Sequence, residues 1–580
     1  MRGTKINGKK IATLRNEETI EIRFDFDWKT LNEVRAIPGA RFRDDSTGKY
    51  WLCPLSLEAL DLLKKAGFRL DPALEDAIKD RGYGVTIEDV KTINVQNLKR
   101  ELYPFQKQGV AFIEAKGGKA LLADDMGLGK TIQALAWLHL HPEKRPAVIL
   151  CPAHLKLNWA REIEQTLPGK QNTQVISGTN HSIPLTGDII IINFDIFHNK
   201  YEAYHDTSGK KRYRELKGTG WVDYILNIKP QVLIIDEAHF VKSTTAFRTK
   251  ATRKLARKTP HVIALTGTPI VNRPIEGFNI VQIIDKTIFP DFWKYVHKYC
   301  DAKHNGFGWD FSGASNKEEL HAILTKTIMI RRRKKDVLKD LPDKIYSYIP
   351  VEIDNYDEYQ KAESNFLAYV RTTKGMAASR RAKNAEHLSK IEALKQLAVQ
   401  GKMKYVLRWV ENFLEEDETK KLILFAIHKD VIEKIMKKFK KIAVKVDGSV
   451  PMKAREQAIK AFQEDPSVRL FVGNIKAAGT GNTLTAASSV AFLEFPWTTG
   501  ELAQAEDRGH RIGQTKTFNV YFLLANQTIE QKIAEILDGK REILDAILDG
   551  KSVEDRPLFQ ELFESITYDT KPEKKEGISH

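Results

Sequence analysis

Cysteine is scarce: the 580-residue chain holds three, Cys53, Cys151 and Cys300. They are too few and too scattered for a disulfide framework or a zinc ribbon, so a reducing interior compartment is expected. Long apolar runs are missing too. No stretch approaches the ~18 uninterrupted apolar residues of a membrane helix, and no secretory apolar segment follows Met1-Arg2-Gly3-Thr4-Lys5. Membrane and secreted readings therefore fall away. Acidic charge is in deficit, with 76 Asp+Glu against 92 Lys+Arg and a net charge of +16. That excess favours an anionic partner, most often nucleic acid, because phosphate attraction is long-ranged and needs no base contact. A basic chain with an evenly solvated surface accounts for the charge equally well. At ~150 residues per domain, the length implies about four units.

Residues 18–74 read as a small α/β unit. It has an alternating strand (Ile20, Ile22, Phe24), a helix from Trp28, a polar turn at Asp44–Gly48, an aromatic strand Lys49–Leu52 and a helix N-capped by Ser56. From Leu102 short β-branched runs alternate with amphipathic helices: Ala147–Cys151, Asp188–Ile192, Val232–Ile235 and Val262–Leu265. The pattern returns after residue 405 with Lys421–Phe425, Val468–Val472 and Ser489–Leu493. Two parallel-sheet lobes are implied. Residues 345–405 read as helical and charged, 206–220 as a surface insertion, Asn305–Gly313 as a loop and the tail from Thr570 as disordered.

Four constellations carry chemistry. Leu121–Thr131 runs into the helical stretch Ile132–Leu138. A Gly-rich strand-to-helix turn aims backbone N–H groups at phosphate, Lys130 reaches the β/γ oxygens and Thr131 can hold Mg²⁺. Asp124 stands where the strict P-loop has glycine, and the turn alone is equally a plain helix start. Next, the strand Val232–Ile235 ends in Asp236-Glu237-Ala238-His239. Carboxylates at the carboxyl edge of a sheet suit Asp236 to Mg²⁺ and Glu237 to the attacking water; a helix dipole alone also favours acids there. The order of the two motifs along the chain favours catalysis. Third, Thr268 and Pro269 after Leu265 make an N-cap and first turn, which structure explains by itself. Fourth, if residues 504–514 are helical, Gln504, Arg508 and Arg511 share one face. That face is either a surface one pairing with Glu506 and Asp507, or an arginine finger.

The ordered set resembles the Swi/Snf ATPases of helicase superfamily two, from Leu102 to about Gly550. Phe105-Gln106 with Gly109 is similar to the adenine-reading Q motif. Asp124, Asp125, Met126, Gly127, Leu128, Gly129, Lys130 and Thr131 are similar to motif I, whose first glycine this family commonly lacks. Cys151, Pro152 and Ala153 with Trp159 and Glu162 resemble motif Ia, Asp236–His239 motif II, and Leu265–Asn272 with Glu276 motif III. Arg331-Arg332 with Lys335-Asp336-Val337 and Leu341-Pro342 resemble the inter-lobe signature, Phe425–His428 motif IV, Lys476–Ala487 motif V and Gln504–Gln514 motif VI. Two departures, Thr480, Asn482 and Thr483 in motif V and Trp497-Thr498-Thr499, touch the expected DNA contacts. Phe307–Asn316, with Ile37-Pro38, Phe42, Trp51 and Pro54-Leu55, is similar to the HARP-containing annealing-helicase branch.

The resemblance implies two RecA-like lobes with helical inter-lobe insertions and a small N-terminal α/β module. The expected division is 1–95 (HARP-like DNA recognition), 96–290 (lobe 1), 291–404 (inter-lobe), 405–555 (lobe 2) and 556–580 (tail). ATP and Mg²⁺ are the expected substrate and cofactor. Lys130, Asp236, Glu237, Arg508 and Arg511 are the expected catalytic residues. ATP falls to Phe105, Gln106, Asp124–Thr131 and Gln504, the metal to Thr131 and Asp236, and coupling to Thr266, Gly267 and Thr268. DNA contacts are expected from Pro152, Ala153, Arg331, Arg332, Arg333, Lys476, Arg380, Arg381, Arg41 and Arg43, duplex or forked and without sequence preference. A DNA-stimulated ATPase that translocates and remodels or reanneals DNA is the main reading. A strand-separating DNA or RNA helicase and a catalytically idle branched-DNA scaffold are the alternatives. A monomer is expected, in the cytoplasm of a bacterial or phage system, or nuclear if the chain is eukaryotic. Strongly basic stretches at 248–258, 326–345 and 371–404 gather the excess charge.

Overall fold

The computed structural model describes residues 10–209, 211–267, 274–304, 308–311, 313–373, 380–475 and 483–537; the side chains of 367–373, 380–388 and 499 are outside that description. Two compact units meet in sequence between Val337 and Leu338. The expected 291–404 inter-lobe region is thus shared: residues up to Val337 belong to the first unit and the rest to the second.

The first unit begins with a five-stranded sheet in the order Arg41–Asp45, Gly48–Pro54, Thr19–Arg23, Ile11–Asn16, Arg69–Leu70. Helices Trp28–Ala36, Leu57–Lys65 and Pro72–Asp80 flank it, and Asp27, Ser56 and Asp71 cap them by accepting from Thr30, Ala59 and Ala73 N–H groups. The helix from Trp28, the aromatic strand and the Ser56 cap are as the sequence implied. This module is fused to the next layer. Ala12, Ile22 and Leu63 share one apolar core with Leu121, Ile235 and Ile280. Tyr83 donates to Asp285 at 2.6 Å, and the buried Lys116 ammonium donates to the carbonyls of Gly82, Val85 and Lys326.

The larger sheet of this unit has seven parallel strands in the order Met329–Ile330, Lys119–Leu122, His261–Leu265, Val232–Asp236, Ala147–Cys151, Ile189–Asn193, Thr173–Val175. Its central strands are near-continuous aliphatic runs because helices cover both faces. Register decides where the chemistry goes. Asp236 lies opposite Leu265, Leu265 opposite Leu122, and Ile330 opposite Leu122. Four segments therefore leave the sheet at one carboxyl edge: Ala123 onward, Asp236-Glu237, Thr266-Gly267 and Arg331-Arg332.

The expected insertion is a β-ribbon, Lys200–His205 paired with Lys211–Leu216. Within the expected loop at 305–313, Trp309–Asp310 pairs with Lys303–His304.

The second unit carries six parallel strands in the order Lys344–Val351, Phe518–Ala525, Ser489–Phe492, Leu422–Ala426, Leu470–Asn474, Ala443–Val446. Residues 344–351, read from sequence as the start of a helical region, instead form an edge strand; Ile345, Tyr346 and Tyr348 lie exposed on it. Helices Tyr356–Thr373 and Arg380–Glu415 follow. Among the described residues, no helix is long and apolar enough to cross a membrane.

Candidate active site

The turn after Lys119–Leu122 is built on glycine backbone freedom. Gly129, at φ +74°, caps the helix Lys130–Leu140. A Cβ there would lie 2.5 Å from Gln106 Nε2, so side chain and turn fit only with glycine. Gln106 is buried, donates to Leu128 O at 3.1 Å and accepts from Tyr103 N at 3.0 Å. The expected Q-motif residue thus braces the turn. Lys130 Nζ donates to Asp124 O (2.6 Å) and Asp125 O (3.2 Å). Burial pushes its pKa down while Asp124, Glu237, Asp125 and Asp236 push it back up, so four carboxylates lie within electrostatic reach of one ammonium.

Asp124 does not present its carboxylate as an ATP contact. It is fully buried and takes a bidentate ion pair from Arg332, through Nε at 3.0 Å and through Nη2. Arg332 also donates to Phe105 O and to Gln133 Oε1 at 2.9 Å. Arg331 donates to Ala123 O (2.9 Å) and pairs with Asp125 (3.3 Å). Both arginines, expected among the DNA contacts, instead clamp the start of the glycine turn at Ala123–Asp125 from the neighbouring strand, because Met329–Ile330 delivers them to the same sheet edge. Arg333 pairs with Asp336 at 2.9 Å. Gln133 was missed in the sequence; its signal was a single amide among Ile132, Ala134, Leu135 and Ala136.

Asp236 accepts from Trp159 Nε1 at 2.8 Å and from Glu237 N at 2.9 Å. Burial, then the charge of Glu237, pushes its pKa up to about 6 against those hydrogen bonds. Glu237 follows at φ +50°, a left-handed conformation that costs a non-glycine residue about 1 kcal/mol or more and clusters at functional sites. His239 Nδ1 lies 3.3 Å from Glu237 Oε2. Thr266 is buried, and a Cβ on Gly267 would meet Met126 Cγ at 2.7 Å, so motif III packs onto the phosphate loop. Pro152 caps the short helix Ala153–Leu155 at the end of strand Ala147–Cys151. Thr268 and Lys476 lie outside the described residues, as do the side chains of Arg380 and Arg381 and all of 556–580.

In the second unit the helix Thr499–Glu506, capped by Thr498 Oγ1 accepting from Glu501 N, stops before the arginines. Gln504 is helical, whereas Arg508 and Arg511 lie in the following turn. The single helical face expected for the three does not form. A Cβ on Gly509 would meet Phe518 Cε2 at 2.4 Å; the chain turns here because only glycine fits against that ring. Leu484 N donates to Arg508 O at 2.9 Å, Gln514 Nε2 donates to Ala487 O at 2.8 Å, and Arg511 donates to Thr483 Oγ1 at 2.9 Å. Glu506 and Asp507 are held by Lys344, at 2.8 and 3.0 Å.

The family model of the SNF2-related domain matches residues 105–403, and that of the helicase conserved C-terminal domain matches 390–513. The chain belongs to the SNF2-related family. This SNF2-family chain is 32% identical over 467 residues to the Caenorhabditis elegans homolog of SWI/SNF-related matrix-associated actin-dependent regulator of chromatin subfamily A-like protein 1, covering 79% of the chain and 63% of the relative. It is 32% identical over 479 residues to the DNA annealing helicase and endonuclease ZRANB3 of Mus musculus, covering 78% of the chain and 41% of the relative. It therefore spans about two fifths to two thirds of the curated relatives it matches. The solved "Sulfolobus solfataricus SWI2/SNF2 ATPase core in complex with dsDNA" aligns at 26% identity and TM-score 0.38, covering 79% of this chain and 96% of that one.

The SNF2 family implies Mg²⁺, and the donor set here fits it. Asp236 and Thr131 supply hard oxygens, and the neighbouring Glu237 carboxylate adds negative charge beside Asp236. Among the described residues no cluster of three or more His, Cys, Asp or Glu could hold a metal. Mg²⁺ characteristically takes one or two protein oxygens and completes its shell with phosphate and water.

Proposed function

We propose that this SNF2-family chain is a DNA-stimulated ATPase that translocates on duplex or branched DNA and remodels or reanneals it. The observation that carries the reading is the convergence, at one sheet edge, of Lys130 on a glycine-built turn with Asp236 and Glu237. Lys130 binds the β/γ-phosphates, with the turn's N–H groups cradling them. Glu237 orients and deprotonates the attacking water. Mg²⁺, when bound by Thr131 and Asp236, neutralises developing phosphate charge. Trp159 fixes the Asp236 carboxylate, while Thr266, Gly267 and Thr268 couple the phosphate loop to the rest of the motor. Arg508 and Arg511, with Gln504, are assigned the stabilisation of the transition state, a contribution of ~10³ or more in nucleotide hydrolases.

The annealing role draws support from relatives whose names include a DNA annealing helicase. Residues 1–95 are assigned to branched-DNA recognition, and Pro152, Ala153, Arg333, Lys476, Arg380 and Arg381 to backbone contacts. A monomer in the cytoplasm, or nucleus of a eukaryotic host, completes the proposal.

The test is phosphate release with no nucleic acid, then with single-stranded, duplex and forked DNA and with RNA. Stimulation by duplex or forked DNA is expected, together with reannealing of a partly melted duplex. Equal rates with and without every DNA would overturn the reading. Fork unwinding in place of reannealing would favour the strand-separating alternative.

A further inference from the structure

Between the fused module and the segments at the ends of helices Phe247–Ala256 and Pro274–Ile284 lies an open cleft of about 350 Å³ lined by four cations and one carboxylate. Arg41 and Arg43 come from the strand Arg41–Asp45. Arg257 comes from the end of helix Phe247–Ala256, and Lys286 from beyond helix Pro274–Ile284. Glu18, the carboxylate, is paired with Lys286 at 2.7 Å. Arg257 belongs to the basic run 248–258, in which Lys250, Arg257 and Lys258 are exposed while Arg248, Arg253 and Lys254 are engaged by neighbours. Arg248 donates to Phe240 O, Arg253 to Asn279, and Lys254 pairs with Asp223 at 2.7 Å. Of that run, Arg257 lines the cleft. Arg41 and Arg43, two apart on a strand, share one side of it and line the same cleft as Arg257 and Lys286.

A second, independent feature adjoins it. Pro290 lines the cleft, and three residues on, in helix Phe292–Tyr299, Trp293 is 47% exposed. Trp293 packs edge-on to Trp309, itself 44% exposed, with ring centroids 5.3 Å apart. His297 and His304 ring Trp309 at 5.1 and 5.5 Å, and Phe311 lies parallel to it. Lys294 ties this helix to the module by donating to Ala36 O at 2.6 Å. Both indoles keep an open face beside their packed one, which is the surface a stacking partner needs. Cations along a groove beside exposed rings are the composition of a single-strand site, where phosphates take the charge and unpaired bases stack on the rings. A duplex offers phosphates but keeps its bases stacked on one another.

We propose that the module junction binds an unpaired DNA strand, with Arg41, Arg43, Arg257 and Lys286 on its phosphates and Trp293 and Trp309 on its bases. This rests on the DNA reading above and adds which arm of a branched substrate the junction holds. The site takes any sequence, because every base has a stacking face.

The test measures binding of the full chain to a fluorescein-labelled oligothymidylate and to a blunt duplex, using anisotropy across a salt series and intrinsic tryptophan quenching. Arg257→Glu is expected to weaken oligothymidylate binding about tenfold or more and to lower the magnitude of the salt slope by about one. Trp309→Ala is expected to weaken it between about fivefold and a hundredfold, with part of the quenching lost. Trp309→Phe should restore most of the affinity, which a merely unfolded variant would not do. Blunt-duplex affinity and ATP hydrolysis without DNA should be unchanged in Arg257→Glu and Trp309→Ala. Unchanged oligothymidylate affinity in both variants, or equal losses on duplex, overturns the proposal. Absence of DNA-stimulated hydrolysis in the parent would overturn the functional reading instead, while the oligothymidylate measurement still decides the junction.

Discussion

Arg332 and Asp124 form a buried ion pair whose two halves lie 208 residues apart in the chain. Removing one partner strands the other without water, so Arg332→Met should destabilise the first unit by about 3 to 5 kcal/mol, whereas Arg332→Met with Asp124→Leu should recover most of it. Denaturant unfolding of the three chains checks this, and full stability of the single variant would contradict it. Catalysis separates differently. Lys130→Ala should abolish ATP turnover; Glu237→Gln should keep nucleotide binding and lose about 10²-fold or more in rate, read by phosphate release beside binding of a fluorescent ATP analogue. In the second unit, Glu494 accepts from Ile427 N, His428 N and the His428 ring. Burial alone would raise the Glu494 pKa, but those bonds hold it below 4.5. The hydrogen bond to Glu494, against burial, holds His428 above 6.5. The Glu494 contribution is present above pH 4.5 and lost as pH falls through its lowered pKa. The His428 contribution is present below pH 6.5 and lost as pH rises through its raised pKa. Stability of the second unit should therefore be greatest between those values, and His428→Gln should flatten the alkaline side of the profile.

At the scale of elements, two turns set the expected catalytic groups, and both hang on glycine. Gly509→Ala forces a Cβ into Phe518, with an expected cost of about 1 to 3 kcal/mol. It should also lower ATPase rate by moving Arg508 and Arg511; a melting curve and kcat measured together test this. Most elements were legible beforehand. The β-branched aliphatic runs at 147–151 and 232–235 read as buried strands, and Ser56 announces a helix start through a local hydrogen bond. The end of the helix at Glu506 was not legible, because the turn that follows Asp507 is packed through Gly509 against Phe518, a contact no local pattern shows. Nor was the strand Lys344–Val351, whose charged and aromatic residues pair only with a segment far along the chain.

For the whole molecule, the net charge of +16 is distributed unevenly in use. Part of the basic content at 326–345 is internal: Arg331 and Arg332 clamp the start of the glycine turn and Lys344 holds Glu506 and Asp507. The basic run 248–258 instead leaves Arg257 open at the module junction. If DNA binding neutralises three phosphates, a fourfold rise in salt should weaken it ~40-fold. Titrating DNA-stimulated ATPase against salt measures this, and a flat response would falsify backbone tracking.

The amino-acid sequence by itself determined the two parallel-sheet lobes, the glycine-built strand-to-helix turn, and the proposal of Lys130, Asp236 and Glu237 as a set. Each of these is written in local patterns: strand hydrophobicity, capping chemistry and short spacing. Tertiary structure alone decided that Arg331 and Arg332 brace the turn and that Arg41, Arg43, Arg257 and Lys286 share a cleft. It also decided that the face of Gln504, Arg508 and Arg511 is broken. In all three cases the deciding contact joins residues distant in the chain, and sheet register and packing, rather than any local preference, bring them within bonding distance.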